Sequence, residues 1–368
     1  MNLVSITQGS SKQEHRAEFS IGVQSCPCLA DHRFQEMVVL PGTFFIAMAG
    51  TLHHQLFNEN ATRIEDINFL SPVILDGQDR LIGVDVLQQE SFVLYRFFEA
   101  TQGKDETAPA FAATLHIPLA APRQKSADIR KLDDASFLSR AEIVFSAAQF
   151  YGSLRENGNQ YGAAFQNIDS AWRSGDEVLG RISVVHQSSQ ACDSHTLSPM
   201  VLDSGTQLLA AFVLEQRRGF LLRSINKVEI SGPPPSSHVW GRARCTSRGP
   251  NANNELAGDV DLWSDSGHWA SLTGVAISTV ENVGEAAETT TVFAVASNFT
   301  AEPVENSLRF WAHYAGLASE VKFAPYNQVF QQLLDSDSLF HRNRRGANRG
   351  ETSPGLCRSL RGRSLPGH

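Results

Sequence analysis

Cysteine is scarce and poorly placed for a scaffold: five in 368 residues, at Cys26, Cys28, Cys192, Cys245 and Cys357, with no C-x-x-C pair. A structural zinc site or a disulfide framework has little to build on, and reduced thiols fit a cytoplasmic chain. No unbroken apolar run approaches the roughly 18 residues of a membrane helix, and the opening MNLVSITQGSSKQEHR lacks the apolar core of a signal peptide. Positive charge is also in deficit, with 31 Lys and Arg against 39 Asp and Glu, a formal net charge of −8. Arg342–His368 holds seven Arg against one acid, which leaves the preceding residues at about −14. These absences exclude a nucleic-acid-binding body and a membrane partner. What is present is 42% hydrophobic, too apolar for a disordered chain and long enough for two domain-sized units and a remainder.

Hydrophobic periodicity gives a strand near Glu18–Gln24, the segment CPCLADHRF, the run MVVLPG and then GTFFIAMAGTLHHQLF, which reads as a helix. Pro41 and Gly42 stand at its start, and Phe44, Phe45, Met48, Leu52 and Leu56 recur at three- and four-residue spacing. His53 and His54 fall at its polar edge and are expected at the surface. Four β-rich segments follow, near Ile64–Leu75, Leu81–Gln89, Phe92–Ala100 and Phe111–Pro118. An apolar helix followed by antiparallel strands predicts a sheet wrapped around a central helix.

Ala120–Asp134 reads as a linker, and a second unit then repeats the plan. YGAAF (Tyr161–Phe165) and a strand near Val178–His186 precede SPMVLDSGTQLLAAFVLEQ, a second apolar helix. Strands near Phe220–Ile230, Val239–Thr246, Leu256–Trp263 and Trp269–Thr279 follow. The element order recurs although the letters do not, so the expected fold is α+β: a double hotdog formed by internal duplication. Its parts are an N-terminal hotdog over 14–120, a linker over 121–136 and a C-terminal hotdog over 137–281. Residues 290–341 alternate strand, helix, strand and helix, a partial α/β segment too short to close a doubly wound sheet. Residues 342–368, rich in Arg, Gly, Ser and Pro, are expected to be disordered.

Two residues carry the chemistry. His32 sits shortly before the helix that opens at Gly42, whose N-terminus presents unpaired N–H groups. A thioester carbonyl placed there would be polarised, and its α-proton made acidic enough for a neutral histidine. Asp203 lies inside the second apolar helix, where burial raises a carboxyl pKa and lets it hold a proton near neutrality. Gln207, at i+4, reaches that carboxyl. One base and one acid suffice for β-elimination of water. The alternatives stay open: a strand-end histidine, a structural acid, and a Tyr161 that is simply a core aromatic.

These features resemble the dehydratase domains of modular polyketide synthases. The family's His-x3-Gly-x4-Pro appears as His32-RFQ-Glu36-MVVL-Pro41, followed by Gly42; its Tyr-Gly-x-x-Phe as Tyr161 to Phe165; and its Asp-x3-Gln or His as Asp203-SGT-Gln207. The resemblance covers residues 14–281. It implies a hydro-lyase of the 3-hydroxyacyl-[acyl carrier protein] dehydratase type, with His32 taking the α-proton and Asp203 protonating the departing hydroxyl. Gln207, Tyr161 and the backbone of Gly42 would orient the groups, and Glu36, Pro41 and Phe165 would line the substrate tunnel. It further implies no metal, no directly bound cofactor, an acyl chain carried on the phosphopantetheine of an acyl carrier protein, neighbouring synthase domains as partners, and a homodimer.

There are departures. Glu36 replaces the motif glycine and is expected to crowd His32; Ala163 stands where proline is usual, and Cys28 where tryptophan is frequent. Loss of the glycine is similar to what pyran-forming oxa-Michael cyclases show, and a silent carrier-docking domain is a third alternative. Residues 290–341, with SNFTAEP and FAPYNQVFQQLLD, resemble the N-terminal part of HAD-like glyceryl-transfer proteins. The aspartate-rich phosphate site of that family is missing, so the segment implies a glyceryl-derived starter as substrate rather than a transferase activity.

Overall fold

The computed structural model describes residues 1–75, 77–100, 111–119, 134–184, 197–216, 218–232, 235, 237–248, 255–281, 291–298, 301, 304–314, 317, 319–326, 328–335 and 338–340. The linker up to residue 133 and the tail after residue 341 lie outside the described residues. Two compact units are formed, Met1–Ala286 with His313–Gly316, and Ala287–Ala312 with Leu317–His368.

In the first unit, β1 (Asn2–Gln8) and β2 (Glu14–Ile21) precede a 3-10 turn, Pro27–Asp31, and a hairpin of β3 (His32–Phe34) and β4 (Met37–Val38). Helix α1 (Gly42–Phe57) follows, then β5 (Arg63–Phe69), β6 (Arg80–Gln88), β7 (Phe92–Glu99) and β8 (Phe111–Pro118). The second half holds α2 (Asp134–Ser139), β9 (Ile143–Ser146), α3 (Ala147–Glu156), β10 (Asn159–Tyr161), β11 (Ile168–Ser174) and β12 (Glu177–Ser183). Helix α4 (Pro199–Gln207) precedes β13 (Arg218–Ile230), β14 (His238–Arg248), β15 (Glu255–Ser264) and β16 (Gly267–Glu281).

Thirteen strands form one sheet in the order β1-β2-β6-β7-β8-β5-β13-β16-β15-β14-β12-β11-β9. The duplication is explicit in that order. In each half the strand before the helix is followed by the second, third, fourth and first strands after it: β2-β6-β7-β8-β5 and β12-β14-β15-β16-β13. The halves meet where the two equivalent strands pair antiparallel, Ile67 opposite Ile225 and Ile64 opposite Val228. Strands β1, β9 and β11 are additions at the outer edges that the periodicity did not reveal. The result is the double hotdog.

Helix α1 is apolar nearly all round and is buried along most of its length, from Thr43 to Gly50 and at Leu52 and His53. Pro41 caps it in an extended conformation, and Asn58, left-handed at φ 56°, stops it by returning its N–H to the His54 carbonyl at 2.8 Å. Phe44, fully buried, contributes about 2–3 kcal/mol of apolar burial. His53 is not at the surface as its sequence position suggested. It is 2% exposed, with Nδ1 2.8 Å from the Tyr95 hydroxyl, because the sheet covers that side of the helix too.

The second apolar segment departs from one long helix. The α-helix ends at Gln207, and Leu208–Phe212 tightens to 3-10 winding. That stretch is pressed by glycines: a Cβ at Gly241 would lie 2.6 Å from Leu208 Cδ1, and one at Gly258 2.6 Å from Leu209 Cδ2. Helix α1 packs on α4, and the two halves share a core.

Beyond the double hotdog, β17 (Thr291–Val295), α5 (Glu305–Tyr314), β18 (Ser319–Phe323) and α6 (Val329–Leu334) follow the expected alternation. β17 and β18 pair in parallel, which requires a crossover such as α5 supplies. No helix among the described residues is long and apolar enough to cross a membrane.

Candidate active site

A three-stranded sheet, β10-β3-β4, joins the two hotdogs. Tyr161 of the second lies opposite His32 of the first, and Asn159 opposite Phe34. The hairpin between β3 and β4 turns through Gln35 and Glu36, both left-handed at φ 48° and 69°. This brings Val39 back to His32, with Val39 N–H donating to the His32 carbonyl at 3.1 Å. The Val39 carbonyl in turn lies 2.8 Å from His32 Nδ1. A carbonyl can only accept, so in the neutral ring Nδ1 carries the hydrogen and Nε2 keeps its lone pair.

The side chain of Glu36 does not crowd the imidazole. Glu36 is exposed at the turn, where its N–H donates to Gln160 Oε1 at 2.8 Å and its Oε1 accepts from Gln160 Nε2 at 2.8 Å. The reason is the left-handed backbone, which turns the side chain out along β10. This corrects the expectation from the motif position.

The YGAAF turn is held by Asp31. The Asp31 carbonyl accepts from Gly162 N–H at 2.7 Å and its Oδ2 from Ala164 N–H at 2.9 Å. Glycine is needed at 162, since a Cβ there would sit 2.8 Å from Asp31 Cβ. The turn delivers Tyr161 and Phe165 to the imidazole, with ring centroids 5.3 and 5.1 Å from His32 and both ring planes inclined at 61°.

Asp203 reaches the same place from α4, 5% exposed. Burial pushes its carboxyl above the usual aspartate range, while the charge of His32 and a hydrogen bond from Gln207 pull the other way. Gln207 Nε2 donates to Asp203 Oδ2 at 2.8 Å and also lies 3.2 Å from the Phe165 carbonyl. The Tyr161 hydroxyl is raised far above its ordinary pKa by burial, with Asp203 and Tyr151 adding to the effect, so it stays protonated. His32, Tyr161, Phe165, Asp203 and Gln207 are thus gathered from both hotdogs.

Pro41 is buried, and Gly42 opens α1 three residues after Val39, so the strand end that holds the imidazole leads directly into the helix N-terminus. A Cβ at Gly42 would lie 2.9 Å from the Phe69 ring. Tyr151, on α3, joins the site although no motif in the sequence marks it. Its hydroxyl lies 3.0 Å from Gln207 Oε1 and accepts from Ile168 N–H at 2.9 Å. The signal available was the capping box of Ser146 and Gln149, which starts α3 and fixes the phase of its buried face, Phe150, Tyr151 and Leu154. Among the described residues no cluster of three His, Cys, Asp or Glu could hold a metal ion.

The fold is a double hotdog in which a histidine from one half is brought to a buried aspartate from the other. Family models agree: polyketide synthase dehydratase domain over residues 3–97, and polyketide synthase dehydratase N-terminal domain over 131–287. Over both matched regions the chain is similar in sequence to polyketide synthase dehydratase domains. It is 21% identical over 253 residues to polyketide synthase PksM of Bacillus subtilis (65% of this chain, 6% of that protein). It is 26% identical over 190 residues to polyketide synthase ThaG of Burkholderia thailandensis (50% and 3%). The chain therefore spans only a small part of these curated relatives. Among solved structures, the dehydratase domain from the CurJ module of curacin polyketide synthase superposes with a TM-score of 0.66 at 21% identity, covering 76% of this chain and 96% of that one.

Proposed function

We propose that the double hotdog eliminates water from a β-hydroxyacyl thioester delivered on the phosphopantetheine of an acyl carrier protein, within a polyketide synthase. The observation that carries this reading is His32, its Nδ1–H tied to the Val39 carbonyl, meeting a buried Asp203 whose carboxyl is pushed toward the protonated form. Nε2 removes the α-proton while the thioester carbonyl is polarised at the N-terminus of α1 around Gly42. Asp203 gives its proton to the β-hydroxyl, the C–O bond breaks, and water leaves. The dyad is left as imidazolium and carboxylate, and transfer of one proton from His32 back to Asp203 restores it. No metal, redox partner or directly bound cofactor is required by these steps.

Variants of the CurK dehydratase with a histidine replaced by phenylalanine, or an aspartate by asparagine, are described as inactive. That supports giving the corresponding roles here to His32 and Asp203. The exposed position of Glu36 favours simple elimination over the pyran-forming alternative, since the residue that departs from the family motif touches Gln160 and not the imidazole. The substrate reading is narrower still: the resemblance of residues 290–341 to glyceryl-transfer proteins supports a glyceryl thioester, whose β-hydroxyl would leave to give an enol and then pyruvyl. Neighbouring synthase domains, a second copy of the chain and a cytoplasmic setting belong to the same proposal.

Intact-mass spectrometry of a carrier protein loaded separately with glyceryl and with a longer 3-hydroxyacyl chain tests it. Loss of one water from either supports elimination, and the chain that loses it identifies the substrate class. Retention of both masses would favour the silent docking domain.

A further inference from the structure

We infer that Tyr151 is a positioning residue for Asp203, acting through Gln207 at the end of a one-way chain of hydrogen-bond donors. The inference rests on reading Asp203 as the acid of the elimination. The direction of the chain follows from its first link. Ile168 N–H donates to the Tyr151 oxygen at 2.9 Å, so the hydroxyl hydrogen must go elsewhere. Its nearest acceptor is Gln207 Oε1 at 3.0 Å, ahead of the Phe165 carbonyl at 3.3 Å. With Oε1 receiving that hydrogen, rotating the amide by half a turn would drive the hydroxyl hydrogen onto the Phe165 carbonyl at 3.3 Å and set Oε1 against that same carbonyl. Its NH2 is thereby committed to Asp203 Oδ2 at 2.8 Å and to the Phe165 carbonyl at 3.2 Å.

The consequence falls on the proton. Because Oδ2 always faces a donor, the acid proton of Asp203 resides on Oδ1, the oxygen left for the substrate. A reversed amide would offer Oε1 to the carboxyl, accept that proton and hold it away from the leaving group. Water cannot easily substitute for the tyrosine, since Tyr151 and Asp203 are each 5% exposed and Gln207 is fully buried. The other titratable groups whose charge bears on this cluster are His32 from β3 and Tyr161 from β10 at Asp203, and Asp169 from β11 at Tyr151. Burial raises both tyrosine hydroxyls, so neither ionises in the working range and the donor chain stays intact. This amide orientation makes Tyr151 part of the acid's support even though it need not touch substrate.

The test compares Tyr151→Phe, Gln207→Leu and the double variant with wild type, all checked for folding by circular dichroism. For Tyr151→Phe, kcat should fall about tenfold with KM within about twofold, and the basic limb of the kcat pH profile should move upward as the freed amide accepts from the protonated acid. The double variant should be no slower than Gln207→Leu alone. Gln207→His, whose ring can accept from Tyr151 at one nitrogen and donate to Asp203 at the other, should retain activity only while Tyr151 is present. Wild-type kcat and pH profile in Tyr151→Phe, or losses that multiply in the double variant, would overturn the inference. A denaturation cycle over the same variants separates it from the proposed function. Coupled urea midpoints in a protein that dehydrates no substrate would keep the donor chain and remove the dehydratase, whereas additive midpoints would remove the chain whatever the activity.

Discussion

Tyr161 stands directly opposite His32 in the register of two short strands, one from each hotdog. This crossing assembles the proposed site: His32 belongs to the first half of the chain and Asp203 to the second, and β10 ties the second half to the strand that carries His32. Disturbing that strip should therefore reach the chemistry without touching either residue.

Gly162→Ala is the direct disturbance. The new Cβ would press on Asp31, whose carboxyl and carbonyl both hold the YGAAF turn. A loss of about 1–3 kcal/mol in stability is expected, with a reduced kcat as Tyr161 and Phe165 shift from the imidazole. Urea unfolding and steady-state kinetics on one preparation check both.

Asp203→Asn separates stability from activity. The folded state raises the Asp203 carboxyl above its unfolded value, so the native protein binds this proton more tightly. That contribution is full at low pH and is lost as pH rises through the folded pKa. Asparagine is neutral and still accepts from Gln207, so at pH 8 the variant should be more stable by about 1 kcal/mol while turnover falls about 10²–10⁴-fold. Thermal unfolding followed from pH 4 to pH 8 should show the gain growing as pH rises.

His53 gives the opposite sign. Burial, with a smaller contribution from His54, lowers its pKa from 6.5 to about 4. The unfolded chain then binds the proton more readily between those values, so stability is present above about pH 6.5 and declines as pH falls toward 4. His53→Gln, which keeps an acceptor for the Tyr95 hydroxyl, should flatten that decline in a series of melting temperatures.

Glu36→Gly relieves a left-handed residue and should raise stability by up to about 1 kcal/mol, offset in part by the lost side-chain bond to Gln160. The kcat should stay within about twofold, because the carboxylate is turned outward. A large change in kcat would show that this side chain does reach the imidazole.

The strands that alternate cleanly and the wholly apolar α1 were legible because burial imposes their period on the letters. β1 and β9 were not, since they are the two edge strands, where Val4 and Val144 stand exposed, and β11 beside β9 buries only Ile168 and Ala171. The joining of the halves through β5 and β13 is a pairing across some 160 residues of chain, which no local pattern encodes. His32, Asp203 and Gln207 stood out through chemical type and spacing. Tyr151 did not, because its value lies in hydrogen bonds to Gln207 and Ile168 that only the packing of α3 creates. His53 and Glu36 were misplaced for a related reason, their surroundings being set by β7 and by a left-handed turn rather than by their neighbours in sequence.

The most direct measurement is the mass of a carrier protein bearing whichever 3-hydroxyacyl chain the wild type dehydrates, followed over time with His32→Ala and with Asp203→Asn. With His32 as base and Asp203 as acid, each variant remains folded and loses water at least about 100-fold more slowly than wild type. Release of water by either variant at the wild-type rate would contradict the assignment of the dyad.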